Sequence, residues 1–115
     1  MALTFDDVVR LAADLPGVSE GTSYGTRALR TGKKFMCRLR EDGDTLVLKP
    51  IDEIQQRFLM ETQPDVYYKT PHYEGYEAVL IRLSRVDEAE LRELLEQCWQ
   101  RLATSTLMRA REAAR

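Results

Sequence analysis

The chain has 115 residues, 43% hydrophobic and 31% charged, with a formal net charge of −2, the balance of one globular domain able to bury a core unaided. No apolar run approaches the roughly 18 residues that cross a bilayer. Asp6 and Asp7 stand where a secretory signal would carry bases, so a cytoplasmic location without membrane contact is expected.

In chain order, the spacing of Phe5, Val8, Leu11, Ala12 and Leu15 predicts a first helix over 5–14, capped by Thr4 and closed by Leu15-Pro16-Gly17. The stretch "EGTSYGT" (20–26) reads as a glycine-bearing loop. Period-two alternation then predicts strands over 26–31, 34–40 and 45–49, joined by turns at Gly32 and Glu41-Asp42-Gly43-Asp44. A second helix follows Pro50, with Asp52 and Gln55 at capping-box spacing and Ile54, Phe58 and Leu59 as its apolar residues. Two more strands are expected over 66–70 and 77–83, with "KTPHYEGY" (69–76) between them. The last helix has a capping box at Asp87 and Glu90 and a stripe of Leu91, Leu94, Leu95, Cys98 and Leu102. A break near Thr104-Ser105 precedes a basic tail, about 104–115, ending at Arg115. Short hairpins imply an antiparallel sheet and segregated helices imply two layers. The expectation is one α+β domain over 1–115, a five-stranded antiparallel sheet in the order α-β-β-β-α-β-β-α.

Charge is unevenly spread. Between Thr26 and Lys49 lie seven bases, Arg27, Arg30, Lys33, Lys34, Arg38, Arg40 and Lys49, while the three acids there all sit in the 41–44 turn. Residues 86–100 hold five acids and one base, Arg92. Strict alternation puts Phe35, Cys37 and Leu39 on one face and Lys34, Met36, Arg38 and Arg40 on the other. If helices cover the apolar face, the open face gathers Arg30, Lys34, Arg38, Arg40, Lys49, Lys69 and Arg82, with Met36, Val47, Tyr67 and Leu80 among them. Such a face suits DNA or another polyanion, the bases on phosphates and Tyr67 as a stacking ring. Affinity would then fall about a thousandfold between 50 and 200 mM salt for roughly six phosphate contacts. Lys and Arg on exposed strands also serve solubility alone. Met36, Val47 and Leu80 offer the alternative of an apolar patch that pairs two copies as a homodimer.

Two loops invite a chemical reading. His72 is the single histidine, and it lacks the orienting partner and nucleophile that acid–base catalysis needs. Gly75 and Pro71 make "KTPHYEGY" foremost a turn between strands. Gly21 to Thr26 offers amides and hydroxyls to a phosphate but has neither the lysine nor the following helix of a P-loop, so structural use is favoured there too. A small-molecule site requires the two loops to meet, with Ser23, Tyr24, His72 and Tyr73 as its residues. Cys37 and Cys98 match no metal spacing and are expected to be buried, inert thiols. Trp99 is expected at the core edge. No catalytic set, metal or cofactor is expected.

The segments "LPGVSEGTSYG" (15–25), "GKKFMCRLREDGDTLVLK" (32–49), "TPHYEGYEAVLIRL" (70–83) and "VDEAELRELLEQCW" (86–99) resemble the MmcQ/YjbR family over nearly the whole chain. The resemblance implies an antiparallel sheet with helices in the order read above, grouped with secretion-chaperone-like folds. Its members are often described as DNA-binding because the fold is similar to a double-wing transcription-factor domain. It implies no catalytic residues. Glu77 departs from the family, which often has proline after the Gly-Tyr pair. The tail after Trp99 is less recognisable. A non-enzymatic domain that binds nucleic acid is therefore the leading expectation, followed by a protein-interaction or homodimerisation module and by a small-molecule binder using 21–26 and 70–76.

Overall fold

The computed structural model describes residues 2–114. The elements are α1 (Phe5–Leu11), β1 (Val18–Ser23), β2 (Thr26–Thr31), β3 (Lys34–Leu39), β4 (Thr45–Leu48), α2 (Glu53–Thr62), β5 (Tyr67–Tyr68), a 3₁₀ turn at Pro71–Tyr73, β6 (Val79–Arg82), α3 (Glu88–Leu102) and α4 (Ser105–Ala113). All strand pairs are antiparallel, in the order β1-β2-β3-β4-β6-β5. This is the expected α+β class with six strands in place of five. The added strand, β1, starts just before and runs into the stretch 20–26 that read as a loop. It is an edge strand with no fully buried residue, so it carries no apolar alternation to read.

The expected N-caps at Thr4, Asp52 and Asp87 are present, but the box expected of Asp87 and Glu90 is only half formed, because the Glu90 carboxylate accepts from Gln63 and Tyr67. Thr4 and Asp7 make a capping box on α1, and Asp52, Asp87 and Thr104 each accept an amide at the start of α2, α3 and α4. Helix α1 stops at Leu11, short of the expected Asp14. Helix α2 is turned from its expected face, leaving Ile54 83% and Phe58 63% exposed while Gln56 and Leu59 are buried. The Gln56 amide donates to the carbonyls of Ile51 and Tyr76 and its oxygen accepts from Lys69. Those bonds make a polar side chain the better one to bury there.

Phe5, Val8, Leu11, Leu59, Leu91, Leu94, Leu95, Cys98 and Trp99 pack from the helices onto Leu29, Cys37, Leu46, Leu48, Val79 and Ile81 of the sheet. Each such aliphatic or aromatic side chain contributes roughly 1.5–3 kcal/mol by leaving water. Among the described residues no helix is long and apolar enough to cross a membrane.

Two irregularities shape the other face. Leu29 pairs with Cys37, yet Arg30 pairs with Phe35, so β3 carries one extra residue at Met36, a β-bulge. Met36 therefore joins the helix-side core, and Phe35 turns to the face of Arg30. Strict alternation had placed both the other way. The β5–β6 connection also folds over the sheet, and Val47, Ala78 and Leu80 are buried beneath it with Tyr68 and Tyr73 packed on them. The apolar patch expected to pair two copies is thus not at the surface, since Met36, Val47 and Leu80 are all buried.

The β3–β4 turn is held by one carboxylate. Asp42 accepts from the amides of Asp44 and Thr45 and from the Thr45 hydroxyl. Burial acts to raise its pKa, but these donors outweigh it and hold the group below its ordinary 3.8. Because the folded value is the depressed one, the stabilisation is complete above the unfolded pKa and is lost as pH falls through the folded one. Urea midpoints are expected to be level above about pH 5 and to drop below about pH 4. Asp42→Asn should start lower at pH 7 and lose less on acidification.

Candidate ligand-binding site

On the face away from the helices, hydrogen-bond register aligns Gly21, Ala28, Arg38, Val47, Leu80 and Tyr68 in one row across the sheet. The neighbouring row runs Ser19, Arg30, Phe35, and the Lys49 ammonium lies 6.0 Å from the Phe35 ring centre. Small residues along the first row leave a hollow. The hairpin tip at Ser23-Tyr24 and the 72–78 segment wall it, giving a cavity of about 330 Å³ into which Arg30, Phe35, Arg38, Lys49, Tyr73 and Tyr76 also project. The two loops meet. All four residues expected of a small-molecule site, Ser23, Tyr24, His72 and Tyr73, line this cavity, as do three of the seven expected cations.

The three cations differ. Arg38 has only 10% of its side chain exposed. Its guanidinium donates to Thr26 Oγ1, the Leu39 carbonyl and Glu41 and lies 5.3 Å from the Tyr24 ring centre. Burial works against its charge, but bonding to Tyr73 and Glu41 wins and holds its pKa above the ordinary value. Arg30 donates to the Thr22 carbonyl at 3.3 Å. Among the described residues neither Arg30 nor Lys49 forms a salt bridge with a carboxylate. Both are half-buried, so they hold a positive field at the cavity with no internal anion to cancel it.

The other four expected cations lie outside the cavity, though Arg40 and Arg82 are on the open face as expected, in the row through Thr45 two residues beyond Arg38 and Leu80. Lys34 pairs with Thr31, whose hydroxyl donates to Met36 on the helix side, so its register puts it off the open face. The Lys69 ammonium donates to Gln56 and to the Tyr76 carbonyl, in a separate hollow beside α2. Arg82 stacks on Tyr68 at 4.1 Å and donates to the Pro64 and Asp65 carbonyls. Arg40 follows β3 among the turn acids, where Glu41 is held below its ordinary pKa first by a backbone amide and by Arg38, with the Arg40 charge a minor contribution there and at Asp42. Tyr67, expected as a stacking ring, is buried on the helix side with its hydroxyl on Glu90, and Tyr68 takes its place on the open face. Of the basic tail, Arg111 pairs with Glu96 at 2.7 Å, and Arg115 lies outside the described residues.

The aromatic walls come from both loops. His72 and Tyr73 meet edge to face at 4.9 Å, and Tyr73 and Tyr76 at 6.4 Å. Tyr24 and Gly25 form the two-residue turn of the β1–β2 hairpin with φ of 53° and 80°. Left-handed values at both central positions define a type I′ turn. Gly25 takes that conformation freely, whereas the Tyr24 side chain bears a cost of about 1 kcal/mol. Phe35 was missed as a site residue because of the bulge. The signal present was the unbroken apolar run Phe35-Met36-Cys37, where alternation should have placed a polar residue.

The thiols stand apart from this site. Cys37 and Cys98 are both free and buried. Burial pushes the Cys98 thiol from 9.0 to about 12 and moves Cys37 upward as well. At pH 8 the native protein is expected to react with a thiol-specific chromogenic reagent about a thousandfold more slowly than in urea, where both cysteines titrate at the rate of ordinary thiols.

The YjbR family model matches residues 13–101. Uncharacterized proteins of Mycobacterium bovis and of two strains of Mycobacterium tuberculosis are each 31% identical to the chain over 121 residues, covering 93% of it and 94% of the relative. No solved structure matches. With most of its length matched by that family model, this chain belongs to the MmcQ/YjbR family.

Proposed function

We propose that the domain is a non-enzymatic binding module whose open-face cavity takes a phosphate-bearing ligand with a planar ring. A nucleotide is that ligand, either free or as one unstacked unit of a nucleic-acid strand. The observation that carries this reading is the convergence of Arg30, Arg38 and Lys49 with the rings of Tyr24, Phe35, Tyr73 and Tyr76 on a single hollow of about 330 Å³. That volume lies in the range of small-ligand sites. Cations supply the phosphate contacts, and rings supply a stacking surface indifferent to base identity. A duplex footprint is the weaker reading, because Lys34 falls off the open face by register and Lys69 lies in a separate hollow, while Arg82, though on the open face, stands over Tyr68 away from the cavity. The cations and rings that line the cavity are groups that hold a ligand, and a binding role is the reading they support. The reading carries with it a cytoplasmic location, where nucleotides are abundant and Cys37 and Cys98 persist as thiols.

Titration calorimetry with AMP, a short oligothymidylate and a duplex of equal length, at 50 and 200 mM salt, tests it. AMP and the single strand should bind and the duplex should bind more weakly. About two or three phosphate contacts on a strand predict roughly a tenfold loss across that salt range, against about a thousandfold for an extended face. Absence of binding to AMP and strand alike would remove the reading. Preference for duplex with the steep salt dependence would replace it with the extended-face alternative.

A further inference from the structure

The geometry points to Tyr24 as the residue that selects for a planar ring in this cavity, a role that rests on the nucleotide-pocket reading above. Its backbone holds the left-handed conformation, with φ of 53°, at a turn position that asparagine, aspartate or glycine fills without strain. Among the described residues it is the one non-glycine with a positive φ. Packing in the free protein does not account for a tyrosine there, since the residue is 88% exposed and its ring contact is the Arg38 guanidinium below it. A strained, bulky, solvent-facing ring at the lip of a cationic hollow is placed for a ligand and not for the fold.

The surroundings define what that ligand presents. Arg38 is pinned by Thr26, Glu41 and the Leu39 carbonyl, which fixes the guanidinium against which the Tyr24 ring rests. A second aromatic wall, Tyr73 with Tyr76, comes from the β5–β6 connection. A flat heterocycle that enters beside Tyr24 gains ring contact on that side, while its phosphate reaches Arg30 and Lys49. A phosphate without a ring reaches the same two cations and gains nothing from Tyr24. The Tyr24 ring therefore discriminates between phosphates that differ only in their planar part, and the two cations do not.

Calorimetry with AMP and with ribose 5-phosphate separates these contributions in wild type, Tyr24→Asn and Tyr24→Phe. Tyr24→Asn should weaken AMP about tenfold or more, the loss expected when a stacking ring is removed. It should leave ribose 5-phosphate within about twofold, and its thermal midpoint should be equal to or above wild type, since asparagine suits the turn. Tyr24→Phe should keep AMP affinity. Unchanged AMP affinity in Tyr24→Asn, or an equal loss for both ligands, overturns the role of Tyr24 while wild-type binding leaves the pocket reading standing. If wild type binds neither phosphate, the pocket reading fails first and this inference falls with it.

Discussion

Charge reversal at two positions, Arg30→Glu/Lys49→Glu, is expected to lower affinity for AMP and for a single strand by at least about a hundredfold. Each hydrogen bond to a charged group contributes about 1.5–3 kcal/mol, and two are removed while two anions are placed beside a phosphate. Stability should change by about 1 kcal/mol, because among the described residues neither forms a salt bridge and Arg30 gives up one bond to the Thr22 carbonyl. Arg38 is the wrong residue for this test. Its guanidinium joins Thr26, Leu39 and Glu41 and is nearly buried, so replacing it with a carboxylate would confound binding with folding. The informative control is Lys34→Glu/Arg40→Glu, two cations outside the cavity. If a broad basic face holds a polyanion, the control pair weakens binding as much as the cavity pair does. If the cavity holds one nucleotide, the control changes affinity by less than about threefold, the scale of a rim charge screened by salt. Calorimetry gives the affinities and a thermal melt gives the stabilities. Equal losses in the two variants would return the proposal to an extended electrostatic surface.

The reason these two experiments point to different residues lies in what strand periodicity can carry. Helix α3 was legible because its stripe and its Asp87 cap agree in one short segment. The pairing of β2, β3 and β4 was legible from short turns and alternation. The bulge at Met36 was not, since a single inserted residue leaves composition unchanged while exchanging the faces of everything before it. Phe35 thereby moved into the cavity, and Met36 left the open face. Burial of Gln56 reversed the expected face of α2, because an amide with three partners outcompetes Ile54 and Phe58 for the interior. That same amide donates to the Tyr76 carbonyl, and so ties one wall of the site to α2. Which cations converge was equally beyond the sequence. Lys69 and Arg82 are chemically indistinguishable from Lys49 and Arg30 until the folded chain puts the second pair at the cavity and the first pair away from it. The four loop residues were found by their chemistry. Their meeting depends on the 70–76 connection folding back over the sheet, a long-range event with no local signature.

Trp99→Ala is expected to cost about 3–5 kcal/mol of unfolding free energy, a large part of the roughly 5–15 kcal/mol that holds a domain of this size together. Trp99 is 1% exposed, well inside the core edge at which the helical stripe alone would put it. Its indole N–H donates to the Pro16 carbonyl at 2.8 Å, and the Arg111 guanidinium lies 5.4 Å from its ring centre. It therefore joins three segments: α3, the Leu15-Pro16-Gly17 turn that leads into β1, and α4. Gly17 adds to the same junction. Its φ is +78°, which favours glycine, and a Cβ placed there would come within 2.7 Å of a terminal methyl of Leu107 on α4, so the turn packs against that side chain. Removal of the indole opens a cavity under α4 and frees a carbonyl that water reaches poorly. Trp99→Phe separates these two effects. It retains most of the ring volume and loses the N–H, so it should cost about 1–3 kcal/mol, the penalty for one buried group left unpaired. Urea denaturation followed by far-ultraviolet circular dichroism measures both. If Trp99→Ala costs under about 1 kcal/mol, α4 is not anchored through this ring. Because Pro16 precedes β1, loosening the junction should also reach the β1–β2 hairpin whose tip holds Tyr24. Trp99→Phe, still folded, is then expected to weaken AMP binding modestly without touching any group in the cavity.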